Sequence, residues 1–128
     1  MTRPSLDKWI DEAKAAPDAH ENGMYLFHSG VVRAAPKGVV RRGEERKKEV
    51  EGMLFSYDRE KLDAAIARAK ALPGIFHVRV WLNEGRLAVG DDIMLVLIGG
   101  DIRPHVIDAL QSLVGEIKNE CVLEKELF

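Results

Sequence analysis

The chain has 128 residues, 46% of them hydrophobic and 31% charged, which is enough apolar side chain for one core and too little length for two. It contains no run of eighteen apolar residues, and Met1-Thr2-Arg3-Pro4-Ser5 leads into charged residues, so neither a membrane span nor an export signal is expected. Cys121 is the only cysteine; it cannot form an intramolecular disulfide or supply a cysteine-based zinc site, and a reducing cytoplasm is the expected compartment. The formal net charge of -2 conceals an asymmetry. Residues 33 to 48 hold seven Lys/Arg and two Glu, leaving twelve basic against nineteen acidic residues elsewhere.

Ser5 stands before Leu6, Trp9, Ile10 and Ala13, apolar residues at helical spacing, so a capped helix over 5–15 is expected, ending at Ala16-Pro17. Met24 to Val32 is apolar and rich in strand formers. Arg33 to Glu49 has no convincing period and contains Pro36, Gly38 and Gly43, which predicts a long exposed basic loop, poorly ordered without ligand. A connection of roughly fifteen residues is unusual in a compact domain and is commonly functional or disordered.

Val50 to Tyr57 reads as a second strand, and Asp58 can cap a helix in which Leu62, Ala65, Ile66 and Ala69 recur at three and four residues, up to Pro73-Gly74. Ile75 to Leu82 alternates, with Phe76, Val78, Val80 and Leu82 on one side and His77, Arg79 and Trp81 on the other. A turn at Gly85 and another at Gly90-Asp91-Asp92 lead to the continuously apolar run Ile93 to Ile98, the pattern of a strand covered on both faces. Asp101 then opens a helix with Ile102, Val106, Leu110 and Leu113 on its apolar stripe, which Gly115 is placed to stop. Glu116 to Phe128 reads as extended. Strands paired as hairpins among helices, without strict alternation, predict a single α+β domain over 1–128: a mixed, mostly antiparallel sheet with three helices packed on it.

The stretch Gly85-Arg86-Leu87-Ala88-Val89-Gly90-Asp91-Asp92-Ile93, an apolar strand, and a helix running into Gly115-Glu116-Ile117-Lys118 resemble the catalytic large subunit of molybdopterin synthase. That family joins a Gly-x-Leu-x-x-Gly-Asp turn to a buried strand, a long helix and two lysines seven positions apart, which here are Lys118 and Lys125. Phe27-His28-Ser29-Gly30-Val31-Val32-Arg33 is similar to its strand ending in Gly-x-Val-Arg, after which a mobile loop begins. The likeness runs from about residue 24 to 126. Where the family has a His-Arg pair this chain has Ile102-Arg103, with His105 nearby, and the segment before Lys125 lacks the family's proline and tryptophan.

The resemblance implies that a ubiquitin-like sulfur-carrier subunit inserts a C-terminal thiocarboxylate, and that cyclic pyranopterin monophosphate receives two sulfurs as a dithiolene. It implies a homodimer within a heterotetramer and no cofactor. Such chemistry needs a cationic pocket for phosphate, donors for an oxyanion and a proton donor or acceptor near neutral pH. Lys118 and Lys125 are the implied catalytic pair, Lys118 the central one, because a lysine crowded by cations or partly buried gives up its proton more easily than usual. Seven residues place two side chains on one face of a helix but on opposite faces of a strand, so a bend must bring them together. Arg33 and Arg103 are candidates for the phosphate, Arg103 also by its place at a helix start, with Arg41 and Arg42 as residues that could close over substrate.

Plainer readings stand beside these: solvated lysines among Glu116, Glu120, Glu124 and Glu126, ion-paired arginines, and Cys121 as core. His20, His28, His77 and His105 share no metal-ligand spacing, and no phosphate-binding Gly-x-x-x-x-Gly-Lys loop is present. A non-catalytic relative that keeps a binding pocket is the main alternative function. Nucleic acid is the weaker one, since the chain is acidic overall and its basic run lacks interleaved aromatics.

Overall fold

The computed structural model describes residues 2–128. Helix α1 (Leu6–Lys14) begins where the Ser5 hydroxyl accepts from the Lys8 N–H at 3.3 Å. A 3-10 turn (Ala19–Glu21) leads into β1 (Met24–Val31), α2 (Lys37–Arg42), β2 (Gly52–Tyr57) and α3 (Arg59–Lys70). The Asp58 carboxylate caps α3 by accepting from the Lys61 N–H at 3.1 Å. Strands β3 (Ile75–Leu82), β4 (Gly85–Ala88) and β5 (Asp92–Gly100) precede α4 (Arg103–Glu116), a π-helical turn (Ile117–Cys121) and β6 (Val122–Leu127). No described helix is long and apolar enough to cross a membrane.

The α+β class is as expected, with its strands divided between two antiparallel three-stranded sheets, ordered β1-β5-β3 and β4-β2-β6. Strand β5 is central in the first sheet, and Ile93 through Ile98 are all buried. One of its faces joins Met94, Val96 and Ile98 to a core shared with the second sheet, α3 and α4. The other face, Leu95 and Leu97, is covered by Trp9 and Ala13 of α1. Arg79 fastens α1 from β3, its guanidinium lying 5.0 Å from the Trp9 ring centroid and its Nη1 pairing with Glu12.

Two expectations change here. Gly115 does not stop the last helix: its φ is not positive, and α4 runs through Glu116 into the π-helical turn, because Ile117 and Cys121 bury apolar side chains that keep the chain coiled against the core. Lys118 therefore sits in that turn, and only residues 122–127 are extended. The basic stretch after β1 contains a fourth helix, the short α2, ended by Gly43 at φ 66°. Pro36 offers α2 no side-chain cap, and the Glu126 carboxylate of β6 accepts from the Lys37 N–H instead, at 3.0 and 3.1 Å. A carboxylate at a helix start satisfies a free donor and the local dipole, worth about 1 kcal/mol.

The Glu126 contact thus ties the basic segment to the last strand. Replacing Glu126 with Gln is expected to raise amide exchange of α2 by roughly fivefold, the equivalent of that contribution, with exchange in β5 unchanged. Hydrogen exchange resolved by residue would show it, and equal protection of α2 in the two proteins would count against the tie.

Candidate active site

Side chains alternate along β1, so Met24, Leu26, His28 and Gly30 form its inward row, and Met24 and Leu26 pack against the larger core. The row ends at a cavity of about 690 Å³, within the usual range for small-molecule sites. Its walls come from the end of β1, the π-helical turn, β6 and α2. Lys118, Lys125, Arg33, Lys37 and Arg41 all line it, so the cavity collects five cationic side chains from segments far apart in sequence.

The two lysines enter differently. Lys118 is partly covered, and its Nζ lies 3.4 Å from Oε1 of Glu124, an ion-pair distance without an aligned hydrogen bond. That Oε1 is enclosed with no hydrogen-bond donor among the described residues. A pair with this much solvent access stabilises the fold by no more than about 1 kcal/mol, so its consequence lies in the site and not in stability. Glu124 lies opposite Phe55 and Glu126 opposite Met53, both buried, so these acids share the inner face of the second sheet. Lys125 lies opposite Leu54, which is exposed, and stands on the outer face at the cavity rim. The π-helical turn is the bend that brings both lysines to one opening.

The arginines separate. Arg33 and Arg41 are exposed on the cavity wall. Arg42 does not line it: its Nε donates to Glu44 at 2.6 Å, a bond that holds the guanidinium proton more tightly still. Arg103 is the first residue of α4, just beyond the Gly100 end of β5, whereas the cavity lies at the Ile93 end. At about 3.3 Å per residue, β5 separates the two by roughly 25 Å. His105 lies at that same far end, with Nδ1 2.7 Å from Asp101, whose carboxyl it holds below the usual range. Cys121 is buried against the core, and burial followed by the nearby Glu116 pushes its thiol upward, away from thiolate.

Two site residues escape a motif-based reading of the sequence. Glu124 looks like one more surface acid until its strand partner Phe55 gives its face. His28 was visible by another rule: period-two alternation puts it in the apolar row of Met24 and Leu26, an unusual place for an imidazole. It is half-buried, its Nε2 is enclosed without a hydrogen-bond partner among the described residues, and burial, then the charge of Lys118, lowers its pKa below 6.5. Gly30, next in the row, is its neighbour on that face: a Cβ there would stand 3.7 Å from Nε2, an ordinary van der Waals contact.

His77, on β3, is lowered too, by burial and then by Lys70, with Asp18 opposing. Both imidazoles bind protons more readily in the unfolded chain, so the stability they confer by staying neutral is complete above pH 6.5. It is lost as pH falls from there toward the depressed folded values. Urea midpoints are expected to decline between pH 7 and 5, above the range where most carboxylates titrate, and the decline should shrink in a His28→Gln, His77→Gln double variant. An equal decline in the double variant would remove the histidines as its cause.

The arrangement of helices and two antiparallel three-stranded sheets is a fold shared with molybdopterin synthase subunits of known structure. The chain superimposes on the molybdopterin synthase structure from Staphylococcus aureus with a TM-score of 0.74 and 18% identity, over 100% of this chain and 88% of that one. A molybdopterin biosynthesis MoaE protein from Burkholderia ambifaria gives a TM-score of 0.74 and 19% identity, over 100% and 80% of the two chains. The complex of subunits 1 and 2 of molybdopterin-converting factor from Helicobacter pylori gives 0.67 and 18%, over 96% and 75%. No curated protein sequence matches the chain. The MoaE protein family matches residues 4–120, and the chain belongs to that family.

Proposed function

We propose that this chain is the large subunit of a molybdopterin synthase, which transfers sulfur from a thiocarboxylated carrier to cyclic pyranopterin monophosphate. Membership of the MoaE family supports a role in molybdenum cofactor biosynthesis and a transferase activity. The observation that carries the finer reading is the placement of Lys118 inside a cavity rimmed by Arg33, Lys37, Arg41 and Lys125. Rim guanidinium and ammonium groups suit a phosphate monoester, since they offer paired donors and charge where the ligand is anionic. The carrier's extended tail would enter beside β6, bringing its thiocarboxylate to Lys118.

Each round begins when the carrier's thiocarboxylate sulfur attacks a pterin side-chain carbon as that carbon's bond to oxygen breaks, the oxygen leaving with its electron pair as a phosphate-ester oxygen or, once protonated, as water, so that a thioester joins carrier and pterin. Water then adds to the acyl carbon, and the oxyanion formed there needs positive charge close by. The acyl carbon–sulfur bond breaks, sulfur stays on the pterin, and the carrier departs as a carboxylate. Two rounds give the dithiolene. Lys118 would supply the charge from within and Lys125 would hold the entering tail at the rim.

The carrier reading draws on the Helicobacter pylori relative, whose structure is a complex of two converting-factor subunits. Arg103 cannot reach the cavity of its own chain, so we assign its anion-binding role to the cavity of a second protomer in a homodimer.

The direct test mixes the purified chain with a thiocarboxylated carrier and cyclic pyranopterin monophosphate and measures the dithiolene product. Lys118→Ala is expected to lower single-turnover conversion by roughly 100-fold or more, with stability changed by no more than about 0.5 kcal/mol and carrier affinity retained. Lys125→Ala should give a smaller or comparable loss, and Lys118→Arg should keep part of the rate because charge is preserved. Wild-type conversion by Lys118→Ala at an unchanged Tm would take Lys118 out of the mechanism. Carrier binding without conversion by the wild type would identify a binding module instead. For Arg103, Lys118→Ala and Arg103→Ala proteins are expected to be impaired separately and to recover roughly a quarter of wild-type activity after subunits are mixed, since half of randomly paired dimers hold one intact site. No recovery on mixing would reject the shared site.

A further inference from the structure

Resting on that reading, we propose that His28 is the general base of the cavity, taking through Nδ1 the proton of the water that cleaves the thioester. Lys118 would remain the positive charge beside the oxyanion. The division of labour follows from what each group faces. Lys118 has the Glu124 carboxylate at 3.4 Å as its ion-pair partner, and an ammonium has donors but no lone pair with which to take a proton. Another group must then accept the proton that the attacking water gives up. His28 lines the same cavity, and of its two ring nitrogens only Nε2 is enclosed. An imidazole placed in an apolar row with no hydrogen-bond partner for its buried nitrogen contributes nothing to folding that a phenyl ring would not, and it carries a desolvation cost.

The charged surroundings act in one direction. From the π-helical turn Lys118 opposes a second positive charge on the ring, and Arg33 after β1, Lys37 and Arg41 of α2 and Lys125 of β6 add cations on the cavity wall. Glu124 and Glu126 are the acids of that wall, one paired with Lys118 and the other held by the Lys37 N–H. From β5, the residue opposite His28 is the apolar Val96. Burial and the ammonium together keep the ring neutral at pH 7, the form able to accept a proton.

The step balances without an oxidant or reductant. One O–H bond of water breaks and its proton goes to Nδ1, while the oxygen bonds to the acyl carbon. As the tetrahedral adduct collapses, the carbon–sulfur bond breaks and its electron pair goes to sulfur, which takes the proton back from the imidazolium. Thioester and water thus become carboxylic acid and thiol. The earlier attack of the carrier's sulfur on the pterin needs no such base, so loss of His28 should stall the reaction after the thioester has formed.

The test follows single turnovers of the purified chain with thiocarboxylated carrier and cyclic pyranopterin monophosphate from pH 5 to 9, with mass spectrometry of the carrier. Wild type should lose rate on the acid side, with the loss displaced to lower pH than the ordinary imidazole value of 6.5 because the pKa of His28 is lowered. His28→Gln and His28→Phe should be slower at pH 7 by roughly 100-fold, lose the acid limb of the profile and accumulate the carrier–pterin thioester. Free imidazole should restore part of the rate to His28→Ala, which a purely structural role would not allow. Wild-type rates and an unchanged acid limb in both His28→Gln and His28→Phe, or thioester that turns over as fast as in wild type, would overturn the role of His28 while leaving the synthase reading intact. A wild-type protein that forms neither thioester nor dithiolene would overturn the synthase reading and His28's role with it.

Discussion

Everything in this fold is arranged around the need to cover β5 on both faces. Six consecutive apolar residues, Ile93 to Ile98, are buried without a polar side to turn toward water. Each large side chain so buried contributes about 1.5–3 kcal/mol, and the strand forfeits this if either face is left open. Helices α3 and α4 with the second sheet take one face, and α1, through Trp9 and Ala13, takes the other. The same requirement puts β1 and β3 on either side of β5, because a strand in the middle of a sheet satisfies its backbone groups on both edges.

The site is a by-product of where this packing runs out. The inward row of β1 is apolar at Met24 and Leu26, reaches His28, and ends at Gly30, where the core gives way to the cavity. On the other wall, α4 stays coiled past Gly115 because Ile117 and Cys121 remain in the core, and the wider π-helical turn between them carries Lys118. Such turns are rare in helices and are often found at functional positions. Arg68 braces the start of this turn from α3, with its Nε 2.7 Å from Glu116. A lysine and a histidine ninety residues apart thus line one cavity because two hydrophobic rows end at one place.

The acids of the cavity matter as much as its cations. Glu124 and Glu126 face inward on β6, one beside Lys118 and one holding α2. Without them five cations would share a small volume, and their mutual repulsion would open the α2 segment. With them, part of the positive charge is neutralised internally and the remainder, chiefly on Arg33, Arg41 and Lys125, faces outward for an anionic ligand.

Much of the architecture was legible from residue order alone. Ser5 and Asp58 cap their helices because a short oxygen-bearing side chain can reach the N–H three residues on, a local geometry that needs no distant partner. The unbroken apolar run of β5 announced a strand covered on both faces for a similarly local reason. Lys118, Lys125 and Arg33 were candidates through the family resemblance and Arg41, with Arg42, through the basic segment, and the cavity is lined by all of these but Arg42. What sequence could not decide was the continuation of α4 beyond Gly115, the helix inside the basic segment, the division of the strands into two sheets, and the company Lys118 keeps. Each depends on contacts between residues far apart in the chain: Lys37 with Glu126, Glu124 opposite Phe55, His28 near Lys118. Periodicity reports which side of an element is apolar, but whether a polar residue on that side meets water, an ion or another element is set only when the elements pack. For the same reason Arg103, credible beside Lys118 on the page, stands at the opposite end of β5 in the folded chain.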